Sequence, residues 1–254
     1  MGYRAPALTR QPGDNDAVAQ EKRNRFLTEL GSTFMPGTPL MQAPIGLSAY
    51  VPAVIDPPEG ANLPDEVAAI IYASRPVYDY FRTNSLSRRM YTHSHVAVFD
   101  MQRSVAQFPG SLDAPATSAG TDGEHLYAAL FPDRSIDWQF GAARVLFVVP
   151  PAPAEGFKVG ALAAVAAMAA HPDVARIDQV LVTSCDRFAA LWLHGPQPFE
   201  LPADNFGLVP ASCHLLRNLP VQTASVIGDS ERGLSVSGPA AFSFRFERRL
   251  ELFE

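Results

Sequence analysis

A stretch rich in Ser, Pro, Gly, Ala and Thr, residues 103–123, breaks the pattern of apolar positions near the middle of the chain. This composition is typical of a linker, because Gly and Pro interrupt helices and strands. The linker divides the 254 residues into two parts, 17–102 and 124–254, preceded by a polar segment, 1–16, that we expect to be a flexible arm. A chain of this length can bury one large core or two small ones.

The first part is predicted to run helix, strand, strand, helix, strand, from the spacing of its apolar residues and the position of its prolines. The predicted elements are a helix over 17–30, strands over 46–55 and 66–72, a helix over 76–91 and a strand over 95–99. The segment 31–44 contains three prolines and two glycines and is predicted to be a loop.

The second part is predicted to hold several strands and one alanine-rich helix. These elements are a short strand over 125–131, a strand over 144–149, the helix over 156–170, and strands over 176–183 and 188–194. In the last segment, 242–252, apolar residues alternate with polar ones, so one face of a strand is predicted to be buried and the other wet.

Both parts approximate the order β-α-β-β-α-β, although the first lacks an opening strand and the second has at most a short second helix, around 213–218. The alanine-rich helix of the second part is followed by His171-Pro172-Asp173-Val174. In these features the chain resembles the dimeric α/β-barrel superfamily, which includes antibiotic-biosynthesis monooxygenase-like, EthD-like and chlorite-dismutase-like proteins. The resemblance implies an α+β protein in which two ferredoxin-like repeats of one chain pack as a dimeric α/β-barrel-like unit. The alternative is one irregular mixed sheet flanked by helices.

Charge and composition argue against several classes of partner. The net charge is −6 and the basic residues are scattered, so no nucleic-acid surface is expected. The longest apolar stretch, 159–170, is too short to span a bilayer, and no signal peptide is recognised. Two cysteines, Cys185 and Cys213, fit a reducing compartment, so the expected location is the cytoplasm. We expect a small-molecule ligand and a monomer or weak homodimer.

Two histidines, His93 and His95, are the sharpest local feature. In a strand the two side chains point to the same face, as a proton-relay pair or two metal ligands require. His95 is the stronger candidate for a general acid or base, and His194 in the second part is the other. No cofactor is indicated, although a histidine ligand to haem or a divalent metal stays open. The simpler interpretation is that these are surface histidines at a helix–strand junction.

Aromatic residues on the same predicted faces suggest a pocket. Phe188, Trp192 and His194 share one face, and Phe99 shares the face of His93 and His95. A mostly apolar cavity with a few imidazoles suits a hydrophobic small molecule. The alternative is that the aromatic residues fill the core.

The helix predicted over 76–91 carries arginines beside tyrosines. Arg82 and Arg88, with Tyr80 and Tyr91, have the chemistry to bind a carboxylate or phenolate and to stabilise an enolate. The alternative is a solvated helix face whose arginines pair with acids such as Asp79.

Motifs for nucleotide binding, serine hydrolysis, zinc proteolysis and dithiol redox chemistry are absent from the sequence. The remaining hypothesis is an enzyme that acts on a hydrophobic or aromatic metabolite, as a cofactor-independent oxygenase, isomerase, cyclase or lyase. That class is implied by the superfamily resemblance. A non-catalytic ligand-binding or assembly protein is the alternative, and a haem- or metal-dependent enzyme is the second.

Overall fold

A computed structural model describes residues 1–42, 46–55, 57–58, 60–72, 75–104, 120–121, 124–130, 138, 141–210, 212–225 and 241–245. For residues 215–225 and 241–245 the description covers the backbone. Most of the predicted linker and the end of the alternating segment 242–252 lie outside these ranges.

The described residues form an α+β fold with five α-helices and nine strands. The helices are α1 (Asp16–Glu29), α2 (Met35–Gln42), α3 (Arg75–Asn84), α4 (Leu86–Val98) and α5 (Phe157–Met168). The strands are β1 (Leu47–Val54), β2 (Glu66–Tyr72), β3 (Gly120–Thr121), β4 (Leu126–Leu130), β5 (Ala142–Val149), β6 (Gln179–Ser184), β7 (Ala189–Gly195), β8 (His214–Ser225) and β9 (Ala241–Arg245). Among the described residues, none of the helices combines the length and apolar character needed to cross a bilayer.

The strands follow one hydrogen-bonded order, β2-β1-β9-β8-β5-β7-β6-β4-β3. Neighbours are antiparallel except for the β8–β9 pair, which is parallel. The chain leaves β5, crosses through α5 to β6, and returns through β7 into the gap between them. β8 then pairs with the free side of β5.

The sheet curls back on itself. Four strand spacings separate β1 from β7, which in a flat sheet amounts to about 19 Å. Yet the indole Nε1 of Trp192 on β7 donates to the carbonyl oxygen of Val51 on β1 at 3.0 Å. The two ends of the sheet therefore face each other across a shared interior.

This curl produces one inner core and two outer cores. The inner core lies between the facing ends of the sheet and includes Val51, Val67, Trp138, Val145, Phe147, Phe188 and Trp192. The first outer core packs α1, α2 and α4 on β1 and includes Phe26, Leu30, Phe34, Tyr50, Val54, Tyr91, Val98 and Phe99. The second packs α5 on the other end of the sheet and includes Leu146, Val148, Val165, Met168, Leu191, Leu193 and Phe206. Successive residues of β1 and β5 alternate between inner and outer cores, as the strand pleat requires.

The predicted strand over 95–99 is wrong, because residues 95–98 extend α4 and only Phe99, in an isolated bridge with Arg4, is extended. Ser85 caps this helix by accepting a hydrogen bond from the backbone N–H of Arg88 at 3.3 Å. Inside the helix, Thr92 and Ser94 donate to carbonyls of the preceding turn instead of competing with it. Tyr91 and Val98, seven residues apart, both lie on the buried face.

The segment predicted as a loop, 31–44, is helical as far as Gln42. A π-helical turn over Leu30–Phe34 joins α1 to α2, and α2 contains Pro39. Pro39 has no backbone N–H, so the helical hydrogen bond to the carbonyl of Met35 is not formed.

Residues 1–8, part of the predicted flexible arm, pack against the fold. Tyr3, Ala5 and Leu8 are buried. Arg4 forms a paired contact with the carboxylate of Asp65, with Nη2 at 2.6 Å and Nε at 3.1 Å from Oδ1. A charge-assisted pair of this kind fixes the segment across the start of β2.

Candidate functional site

A polar group surrounded by tyrosines lies where α2, β2, α3 and α4 meet. We call it the Arg88 cluster, and it consists of Gln42, Tyr72, Tyr78, Arg88 and Tyr91. The guanidinium Nη2 of Arg88 donates to the hydroxyl of Tyr78 at 3.1 Å. Its Cζ lies 5.7 Å from the centroid of the Tyr78 ring and 5.3 Å from that of Tyr91. These distances are those of cation–π contacts, which hold the cation between two aromatic faces.

Two buried donors of the cluster have no hydrogen-bond partner in the part of the chain that the structure describes. They are Nε of Arg88 and Nε2 of Gln42. Gln42 is completely buried, and its Oε1 accepts a hydrogen bond from the Tyr72 hydroxyl at 3.1 Å. A buried donor without a partner costs about 1–3 kcal/mol. The arrangement therefore suits an acceptor oxygen that a ligand brings.

The tyrosine side chains of the cluster are uncharged and can donate hydrogen bonds through their hydroxyl groups. Burial raises the pKa of Tyr72 and of Tyr91 far above its usual range. The Tyr72 ring lies against that of Tyr78, with centroids 4.5 Å apart. The rings of Tyr78 and Tyr91 give the guanidinium an apolar frame on two sides.

His95 lies one turn beyond Tyr91, inside an aromatic cage. Its ring centroid is 4.5 Å from that of Tyr91, 4.7 Å from Phe34 and 6.0 Å from Phe99. Its Nδ1 lies 2.8 Å from the carbonyl oxygen of Tyr91. A carbonyl only accepts, so Nδ1 carries the proton and Nε2 is left as an acceptor.

Burial lowers the pKa of His95 to about 4, and the nearby Arg88 cation acts in the same direction. The imidazole is therefore neutral at neutral pH. Its Nε2 is better suited to accepting a hydrogen bond than to carrying a positive charge.

Hydroxyl groups extend from the cluster into the first outer core. Thr38 donates to the carbonyl of Phe34 at 2.9 Å, so its Oγ1 accepts from the Tyr91 hydroxyl at 3.2 Å. Deeper in the core, Tyr50 donates to Oε1 of Glu66 at 3.3 Å. Burial raises the pKa of this carboxyl. The sequence analysis did not identify Gln42, Thr38 or Glu66 as site residues. Glu66 could have been found, because a glutamate at the start of an apolar strand is unusual.

Three predicted residues lie away from the cluster: His93 on α4, and Tyr80 and Arg82 on α3. Residues two apart on a helix point about 200° apart, so His93 faces outward while His95 faces the core. His93 is exposed, and so are Arg82 and Tyr80 on the outer surface of α3. The prediction that His93 and His95 share a face is wrong for this reason. By contrast Arg88, Tyr91 and His95, at positions i, i+3 and i+7, share the buried side.

The predicted shared cavity is also not formed by these residues. Trp192 and Phe188 belong to the inner core, where the Phe188 ring stacks on that of Phe147 at 5.0 Å. Phe99 belongs to the first outer core, on the opposite face of the sheet. The sequence analysis grouped aromatic residues that the curl of the sheet separates.

His194 forms a second polar group at the end of β7. Its Nδ1 lies 2.5 Å from Oδ1 of Asp178, and its ring centroid is 4.9 Å from that of Trp138. A Cβ on Gly141 would lie 3.0 Å from both Cε1 and Nε2 of this imidazole. His194 and His95 thus belong to separate polar groups.

No group of three or more metal-ligating residues occurs in the described ranges. Comparisons with family models, with curated proteins and with solved structures gave no match to this chain.

Proposed function

We propose that this protein is a small-molecule enzyme acting on a hydrophobic or aromatic metabolite, and that the Arg88 cluster binds an anionic oxygen of that substrate. The observation that carries the proposal is the pair of buried, unpartnered donors, Nε of Arg88 and Nε2 of Gln42, within a frame of tyrosines. A carboxylate, phenolate or enolate oxygen satisfies such donors and meets a positive charge.

The chemistry follows from where charge develops. If a carbonyl compound enolises in the site, negative charge grows on its oxygen, and donors that are already oriented stabilise it without reorganisation. Arg88 contributes the charge and Gln42 a neutral donor. His95, neutral with a free lone pair on Nε2, is the proposed partner for a substrate hydroxyl, and His194 is the other histidine proposed for acid–base work.

We further propose a ferredoxin-like origin for the second part of the chain. The order β8-β5-β7-β6, with α5 crossing between β5 and β6, supports it. In the first part the predicted third strand is replaced by the end of α4, so the second repeat proposed there would lack that strand. The curl that brings Trp192 to Val51 supports a barrel-like closure.

A non-catalytic binding or assembly role is the second candidate. It is favoured by the filling of the inner core, where large side chains such as Phe147, Phe188 and Trp192 occupy the space that an enzyme of the proposed superfamily would give to its substrate.

The binding test uses calorimetric titration with aromatic acids, such as salicylate and phenylpyruvate, against the neutral analogue benzamide. We expect the acids to bind the wild type and Arg88→Gln to bind them about 10- to 100-fold more weakly, the range for one charge-assisted hydrogen bond. Arg89→Gln is the matched control, because Arg89 is the next residue of α4 and is exposed. Equal affinities for all three proteins, or a preference for benzamide, would reject the proposed site.

Catalysis is tested separately by exchange of the C3 hydrogens of phenylpyruvate with deuterated water, followed by NMR. We expect the wild type to accelerate exchange above the buffer rate and Arg88→Gln to lose that acceleration. Binding without accelerated exchange would favour the non-catalytic role over the enolising enzyme.

A further inference from the structure

The outer face of α4 is exposed along Leu86, Met90, His93 and Ala97, which we call the α4 stripe, and Val96 lies exposed at its edge. Leu86 is 65% exposed, and Met90 and Val96 are each 60% exposed. Large apolar side chains are ordinarily exposed one at a time. Here they follow one another along a single helix.

The spacing of the stripe is that of a helix that packs on another helix. Residues 86, 90, 93 and 97 are at positions i, i+4, i+7 and i+11, which line one side of a helix and form a coiled-coil-like seam. The opposite side of α4 is already used, because Tyr91 and Val98 are buried in the first outer core. The helix is therefore apolar on two sides, and the protein's own core covers one of them.

We propose that the α4 stripe packs against the α4 stripe of a second copy of this chain, antiparallel, about a twofold axis near His93. In this register Met90 lies opposite the partner's Ala97, and the two His93 side chains meet near the axis. Leu86 then lies near the end of the partner's α4, where Met101 is 45% exposed. Because the interface is isologous, one stripe supplies both halves of the contact.

Charges at the two ends of α4 favour a second copy in this direction. Arg89 lies in the first turns of α4, at the amino-terminal end of the stripe, and Asp100 follows the carboxyl-terminal end. Antiparallel pairing places Arg89 beside the carboxyl end of the partner helix. The negative end of the helix dipole and the carboxylate of Asp100 both attract the guanidinium there. Parallel pairing would bring the arginines of both copies together.

The contact is small. A helix of 13 residues is about 20 Å long, so one such face offers less than the roughly 800 Å² per partner of standard stable interfaces. We therefore expect a dimer that dissociates on dilution. This inference does not depend on the proposed enzymatic function.

The association is tested by sedimentation velocity between roughly 5 and 500 µM, a span suited to a small interface. We expect the sedimentation coefficient of the wild type to rise with concentration and that of Met90→Glu to stay monomeric. Val159→Glu, a change at another exposed apolar residue on α5, should behave as wild type. Circular dichroism confirms that each variant is folded. A wild type that is monomeric throughout, or a Met90→Glu protein that still dimerises, overturns the proposal.

The register is tested by oxidative cross-linking in a Cys213→Ser background, where the remaining Cys185 is buried. His93→Cys lies at the axis and should form a disulfide-linked dimer. Leu86→Cys should not link to itself, because seven residues on each side of the axis separate the two copies by roughly 21 Å. Cross-linking of both variants would indicate parallel pairing, and cross-linking of neither would remove α4 from the interface.

Discussion

The neutral state of His95 makes a specific prediction about acid stability. Its pKa in the folded chain is about 4, against 6.5 for an ordinary histidine. A group with a depressed folded-state pKa binds fewer protons when folded than when unfolded, so stability falls as the pH drops through this window. Replacing His95 with Phe keeps a ring in the cage of Phe34, Tyr91 and Phe99 and removes the titrating group.

The magnitude follows from the two pKa values. Between pH 7.5 and pH 5, the wild type should lose about 2 kcal/mol of unfolding free energy through His95 alone, and about 3 kcal/mol by pH 4. Other acidic groups change the stability of both proteins alike. The difference between wild type and His95→Phe is therefore expected to grow by these amounts as the pH falls.

Urea unfolding at pH 7.5, 6, 5 and 4, followed by fluorescence, measures this difference. His93→Gln is the control, because its side chain is exposed in the folded chain and its curve should parallel that of the wild type. If the wild type and His95→Phe lose stability in parallel from pH 7.5 to pH 4, the burial argument for His95 is wrong.

Two further predictions concern packing. A Cβ on Gly2 would lie 2.3 Å from Cε1 of Phe99, so Gly2→Ala should lower the unfolding free energy by about 1–3 kcal/mol. Gly160 lies in open space within α5, so Gly160→Ala should raise the unfolding free energy by about 0.5–1 kcal/mol. Thermal melts in which Gly2→Ala is the more stable variant would contradict the placement of residues 1–8. Trp192→Phe keeps an aromatic ring but leaves the Val51 carbonyl without its donor, so urea unfolding should show a loss of about 1–3 kcal/mol, and an unchanged midpoint would argue against the curl of the sheet.

β2 has the bounds that were predicted for it, and the strands buried on both faces were predicted to within three residues at either end. β5, β6 and β7 each contain an uninterrupted apolar run (145–149, 180–182 and 189–193), which is the pattern of a strand buried on both faces. α4 was predicted poorly because Thr92, His93 and Ser94 are weak helix formers, and the Ser85 cap and tertiary packing decide the outcome there.

The site was predicted in part, for reasons that lie in the helix period. Arg88, Tyr91 and His95 were chosen for their chemistry, and a period of 3.6 residues brings them to one side of α4. Gln42 was missed because prolines on either side of it predicted a loop. The separation of Phe99 from Trp192 depends on the curl of the sheet, a long-range property that local patterns do not encode.

The pairing of β1 with β9 has a consequence for how the chain is made. Tyr50 of β1 pairs with Phe244 of β9, so β1 is synthesised nearly two hundred residues before the strand with which it pairs. At about 5–20 residues per second, the β1–β2 hairpin waits roughly 10–40 s with an open edge. An open edge of this kind recruits other strands, so the nascent chain is exposed to misassembly for much of its synthesis. Such late pairing also makes folding slow, because the contact between β1 and β9 closes most of the chain into one loop.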